Sequence, residues 1–122
     1  MNTLTRNQSM GMDIREIVRN LNNVLGATLV TALAGVTNLE EPIIWTIPGG
    51  PKPSQASTRR LILAHQEFNR ISQKEGDDVA RAFFIGGNPE LGEDTPITAL
   101  YEDRLSEFGA AVDVFLGGSG SW

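Results

Sequence analysis

Cysteine is absent from the 122 residues, histidine and tyrosine occur once each, and no apolar run approaches the ~18–20 residues of a membrane span. The first absence excludes disulfides and thiolate metal sites. The second leaves His65 as the one side chain that ordinarily titrates near neutrality. The N-terminal stretch MNTLTRNQSMGMD lacks a hydrophobic core followed by a small-residue cleavage site, so no secretory signal and a cytoplasmic location are expected. Strand-type alternation is scarce, and no internal repeat occurs.

What is present is unevenly charged. Residues 1–74 carry eight Lys/Arg against five Asp/Glu, a balance of +3, and residues 75–122 carry two against ten, a balance of −8. A mildly basic middle and a strongly acidic end suit either two partners of different sign or simply solvated faces.

The apolar spacing predicts an all-α chain of about seven short helices. Ile14, Ile17, Val18, Leu21, Val24 and Leu25 make one helical stripe, opened by Asp13 and Glu16 in the pattern of a capping box. Gly26 ends it, and a short helix over 27–34 closes at Gly35. Pro42 to Pro48 leaves room for a turn or two of helix or for an extended segment. We favour the helix, because Pro42 suits a first helical position. Gly49-Gly50-Pro51-Lys52-Pro53 is a loop. A long helix follows over 54–73, with Leu61, Ala64, Phe68 and Ile71 inside and Arg59, Arg60 and Arg70 mostly outside. Asp77 is the expected N-cap of a helix through Val79, Phe83 and Phe84. Thr95-Pro96 starts a helix over 96–102, and Leu105, Phe108, Val112 and Phe115 share one face of the last. The expected organisation is a flexible tail over 1–12, a first lobe over 13–53, a linking helix over 54–74, a second lobe over 75–118 and a flexible tail over 119–122. The phenylalanines suit a core, and equally a homodimer interface.

Catalytic chemistry finds no foothold. His65 lies mid-helix among basic and apolar neighbours, which points to a structural role. Ser54, Ser57 and Thr58 sit where caps and first turns sit. The acidic pairs Asp77-Asp78, Glu93-Asp94 and Glu102-Asp103 are adjacent, and neighbours on a helix diverge by about 100°, so they do not converge on a metal. The paired glycines match neither dinucleotide nor phosphate-loop patterns. We expect a protein that is not an enzyme and carries no cofactor.

The informative stretch is AFFIGGNPELGEDTPITAL, from Ala82 on. Pro89 keeps Asn88 out of helical geometry, Gly92 permits a positive φ, and Thr95-Pro96 restarts the helix. The pattern N-P-x-L-G-x-x-[TS]-P-x-x-x-L, here Asn88, Pro89, Leu91, Gly92, Thr95, Pro96 and Leu100, resembles the toxin-binding domain of the Xre/MbcA/ParS antitoxin family. Upstream, WTIPGGPKP over residues 45–53 followed by Arg59-Arg60-Leu61 resembles that family's end of helix-turn-helix and start of linking helix. The resemblance covers roughly residues 14–118 and is specific over 82–100.

That resemblance implies an antitoxin whose C-terminal region covers the active-site cleft of a RES-domain toxin, a protein that consumes or modifies with NAD. It also implies a helix-turn-helix able to bind operator DNA. The motif residues would be the toxin-binding set. Trp122 would either anchor in the cleft or belong to a terminus without a role. The sequence departs from a DNA reader at NLEEPIIW, residues 38–45, which has two glutamates and no basic residue. Lys52, Arg59 and Arg60 remain as phosphate contacts. So few contacts imply weak, salt-sensitive operator binding, or its loss.

Overall fold

The computed structural model describes residues 11–117. Residues 1–10 of the expected N-terminal tail (1–12) and the whole expected C-terminal tail (119–122), with Trp122, lie outside the described residues. Among the described residues there are seven α-helices and one 3-10 turn, and no strand. The all-α expectation holds.

Helix α1 (Ile14–Leu25) begins where the Asp13 carboxylate accepts the Arg15 N–H at 2.9 Å. Glu16 does not close the expected capping box. It turns instead to the guanidinium of Arg19, one turn along the same helix. Ile17, Val18, Leu21 and Leu25 face inward. Gly26, at φ +90°, lets α2 (Ala27–Ala34) follow after a single residue.

Gly35 terminates α2 in the left-handed region, and a Cβ there would overlap the Arg60 guanidinium. Both constraints call for glycine. The segment after Pro42 is helical rather than extended, but α3 (Glu41–Ile44) is one turn long. Arg15 is buried, and its guanidinium donates to the carbonyls of Trp45 (2.9 Å), Gly50 (2.5 Å) and Pro51 (3.2 Å). It thereby binds the loop that leads to the long helix.

Helix α4 (Gln55–Glu75) starts with the Ser54 hydroxyl accepting the Ser57 N–H at 3.1 Å, and it buries Leu61, Ala64, Phe68 and Ile71 as the spacing predicts. Gly76, at φ +95°, ends α4 and occupies the cap position of α5 (Asp77–Ile85). Asp77 is therefore not the N-cap. It is the first helical residue, and its carboxylate takes a hydrogen bond from the Ser72 hydroxyl. Val79 is 37% exposed, while Ala80, Phe83 and Phe84 are buried.

Helices α6 (Pro96–Tyr101) and α7 (Leu105–Phe115) complete the chain. One hydrophobic core runs from Ile17 of α1 to Val112 of α7, so the two expected lobes share a single interior. Its centre is aromatic: Phe84 packs on Phe68 at 5.7 Å and edge-on to Phe108 at 5.6 Å between ring centroids. Phe108 and Val112 are fully buried, as the last helix's stripe predicts. Phe115 is not, and is 44% exposed at the helix end.

Candidate protein-docking site

The turn between α5 and α6 is built from its own backbone. Asn88 is extended (φ −134°, ψ 122°), as the following proline requires. Its side-chain oxygen accepts the Glu90 N–H at 2.8 Å, its N–H donates to the Asp94 carbonyl at 3.1 Å, and its carbonyl accepts from Leu91 and Glu93 at 2.9 Å each. Pro89–Leu91 is the 3-10 turn. Gly92 (φ +66°) and Glu93 (φ +73°) are both left-handed, an unfavourable region for the glutamate. Gly87 has no room for a side chain, since a Cβ would stand 2.9 Å from the Glu93 carbonyl oxygen. Thr95 caps α6 by accepting the Thr98 N–H at 3.1 Å, and Pro96 occupies the first turn.

The motif residues therefore divide into two groups. Leu91, Pro96 and Leu100 are buried, so their side chains support the turn from the inside instead of forming its outer surface. Thr95 is spent on the cap. Asn88 is half-buried, and Pro89 and Gly92 are exposed on the outside of the turn.

That outside borders an open pocket of about 400 Å³. It is lined by Val79, Ala82 and Phe83 of α5, by Gly86, Gly87, Asn88 and Pro89 of the turn, and by Phe115 of α7. The Phe83 and Phe115 rings pack at 4.9 Å between centroids. Glu93 places its carboxylate beside Gly87 at the edge, and Glu90 and Asp94 of the same turn are exposed, Asp94 paired with Arg104. The result is an apolar groove with an acidic border.

Arg104 stabilises the turn from beneath. Its guanidinium donates to the Leu91 carbonyl at 3.1 Å and pairs with Glu107 (2.9 Å), Asp94 (2.8 Å) and Glu102 (3.1 Å). Hydrogen bonds to Glu107 first, then to Asp94 and Glu102, hold its pKa far above even the ordinary arginine value. Sequence reasoning passed over Arg104. The available signal was its isolation, as the only cation beyond Arg81 in the acidic end of the chain.

The first lobe offers a different surface. Leu39, Ile43 and Ile47, spaced by four, are 54%, 56% and 50% exposed, with Glu40 exposed among them. Of the three expected phosphate contacts, Lys52 and Arg59 are exposed. Arg60 is committed elsewhere: it donates to the Ala34 carbonyl at 2.8 Å and grips Asp103 in a two-pronged pair at 3.0 and 2.9 Å. Asp103 sits at φ +62°, and the hydrogen bond from Arg60 holds its carboxyl below the usual range.

His65 is buried on the inner side of α4, and burial lowers its pKa; its Nε2 lies 3.4 Å from the Asn20 amide nitrogen and 3.5 Å from that of Asn69. Among the described residues no group of three or more His, Asp or Glu could hold a metal ion, and no helix is long and apolar enough to cross a membrane. Comparison of the chain with protein-family models, with curated proteins and with solved structures finds no match in any of the three, so the likeness of residues 82–100 to the antitoxin family rests on those residues alone.

Proposed function

We propose that this chain is a non-catalytic binding protein that docks another protein through the groove between α5 and α7, and that its partner is a RES-domain toxin, which it neutralises. The observation that carries the docking is the solvent-facing apolar surface of the groove. Phe115 is 44% exposed and Val79 37%, beside a turn whose backbone is held by Asn88, Thr95 and Arg104. A rigid apolar recess with an acidic edge suits an apolar projection flanked by Lys or Arg. The partner class comes from the resemblance over residues 82–100. The acidic edge supports it, because a cleft that binds a nucleotide's phosphates is cationic.

Co-expression with a RES-domain toxin is the test, the candidate being any such protein encoded next to this gene. A complex that co-elutes in size-exclusion chromatography, with restored growth, is the expected result. Phe115→Glu should weaken the complex by roughly thirtyfold, the loss expected for a central apolar anchor. Absence of a complex with the unaltered chain overturns the partner. Unchanged affinity in Phe115→Glu overturns the groove.

Operator binding draws less support. The exposed side of α3 is apolar and acidic, and Arg60 is tied to Asp103. A mobility shift on the upstream DNA at low salt, with Arg59→Ala as control, decides it.

A further inference from the structure

Helix α7 ends beside the groove it helps to line. The Lys74 ammonium donates to the Leu116 carbonyl at 2.9 Å, which ties the end of α7 to the end of α4, where α5 follows after Gly76 alone. Gly117 then stands in the left-handed region at φ +75°, with its N–H on the Val114 carbonyl, so the chain turns off the axis of α7. The described chain thus leaves near the Val79 end of the groove, two residues past Phe115. Residues 118–122, outside the described residues, read GSGSW, and Trp122 is their one apolar side chain.

We infer that Trp122 folds back into the groove between α5 and α7 of its own chain, so that the free protein covers its own docking site. Reach is the first argument. The five residues from Gly117 to Trp122 span at most about 17 Å, and a Gly/Ser stretch of that length has a root-mean-square span of about 12 Å. The groove follows α5 from Val79 to Gly86, seven residues or about 10 Å. Effective concentration is highest when a linker's mean span matches the distance it bridges. A second apolar hollow, between Ile62 and Leu63 of α4 and Leu105 of α7, lies at the far end of α7. It is ten residues, or about 15 Å, from Phe115, where the linker would be almost fully extended.

Chemistry is the second argument. An indole adds a third ring to the pair of Phe83 and Phe115 and withdraws a large apolar surface from water. Its N–H needs an acceptor when buried. At the end of α5 the capping Gly86 N–H takes the Ala82 carbonyl, and the later carbonyls keep the acceptor positions that a helix end leaves over. The connecting glycines and serines carry no charge, so Asp78 next to Val79 and Glu93 at the Gly87 edge do not oppose their approach. The consequence rests on the docking groove proposed above. A partner must displace the indole, and its apparent affinity is reduced to the fraction of chains that are open.

Tryptophan fluorescence of the free chain tests the seat. Trp45 is buried and common to both proteins, so subtracting the emission of Trp122→Ala isolates that of Trp122. The difference should be blue-shifted relative to the peptide GGSGSW. With about four chains in five closed, acrylamide quenching should be about fivefold weaker than for that peptide. Val79→Glu, at a residue outside the core, should return both readings to those of the peptide with an unchanged helical circular-dichroism spectrum. Peptide-like emission in the unaltered chain overturns the proposal. So does protection that survives Val79→Glu, which puts the indole elsewhere, or protection lost on dilution, which puts it in another copy.

Affinity for the partner is a separate measurement. Trp122→Ala should tighten the complex about fivefold. Unchanged or weaker binding would show that the indole does not compete for the groove. Failure of the toxin to bind at all overturns the partner and not the seat, because the seat is read without it.

Discussion

Two corners of the molecule restart a helix at a proline after a break, and they dispose of their apolar side chains in opposite ways. At the corner before α6, Leu91, Ile97 and Leu100 go into the core, and the outside is left to Asn88, Gly92 and carboxylates. At the corner before α3, Pro42 and Trp45 are driven inside, while Leu39, Ile43 and Ile47 stay in solvent. The arginines that brace them differ in the same sense. Arg15 is buried and engages only backbone carbonyls; Arg104 engages one carbonyl and three carboxylates. The first brace depends on desolvation and the second on charge. A corner's helix-starting residues therefore do not say which of its residues meet a partner; that depends on which face the core takes.

The largest expected effect breaks this contrast directly. Leu100→Ala removes a fully buried side chain and should cost about 2–5 kcal/mol, whereas Ile43→Ala should stay within about 0.5 kcal/mol. Urea unfolding followed by circular dichroism measures both. Equal losses would mean that the ridge on α3 packs in solution. Next in size is Arg15→Met. It keeps the apolar stem but leaves the buried Trp45 carbonyl without its donor, at about 2–3 kcal/mol. High salt should not reproduce that loss, because no carboxylate is involved.

How far these corners were legible in the sequence follows from the range of each interaction. Local rules worked. Asp13, Ser54 and Thr95 cap their helices, and the stripe of Leu61, Ala64, Phe68 and Ile71 is the inner face of α4. The cap at Asp77 failed because Gly76, with its positive φ, serves as the end of one helix and the start of the next. The motif at 88–100 marked the turn, but spacing does not separate a residue that builds a surface from one that forms it. Leu91 and Leu100 look like contacts in the sequence and are core. Phe115, which by spacing suits a core and an interface equally, is exposed at the end of α7. Arg60 with Asp103, 43 positions apart, was beyond any local rule.

A smaller effect probes the charge-based side of the contrast. Arg60 depresses the folded-state pKa of Asp103, so the bridge contributes fully above the unfolded value, near 3.9 for an aspartate. That contribution falls away as the pH drops through the folded-state pKa. Between about pH 5 and pH 3 the unaltered chain should lose melting temperature more steeply than Asp103→Asn. Parallel slopes would mean that the bridge is not formed in solution. Asp103 is exposed, so the difference should be small and should shrink in high salt.

The smallest expected effect separates the corner's shape from its surface. Glu93 holds φ +73°, where a side chain costs about 1–2 kcal/mol relative to glycine. Glycine in turn gives up about 0.5–1 kcal/mol through its freer unfolded chain. Glu93→Gly should therefore stabilise the fold by about 0.5 kcal/mol, seen as a rise of a few degrees in melting temperature. The same change deletes a carboxylate at the edge of the groove, so binding of a cationic partner should weaken and become less sensitive to salt. A variant that is more stable and binds less well would show that Glu93 is kept for its charge at the expense of its backbone. A variant that is less stable would show instead that its side chain supports the turn.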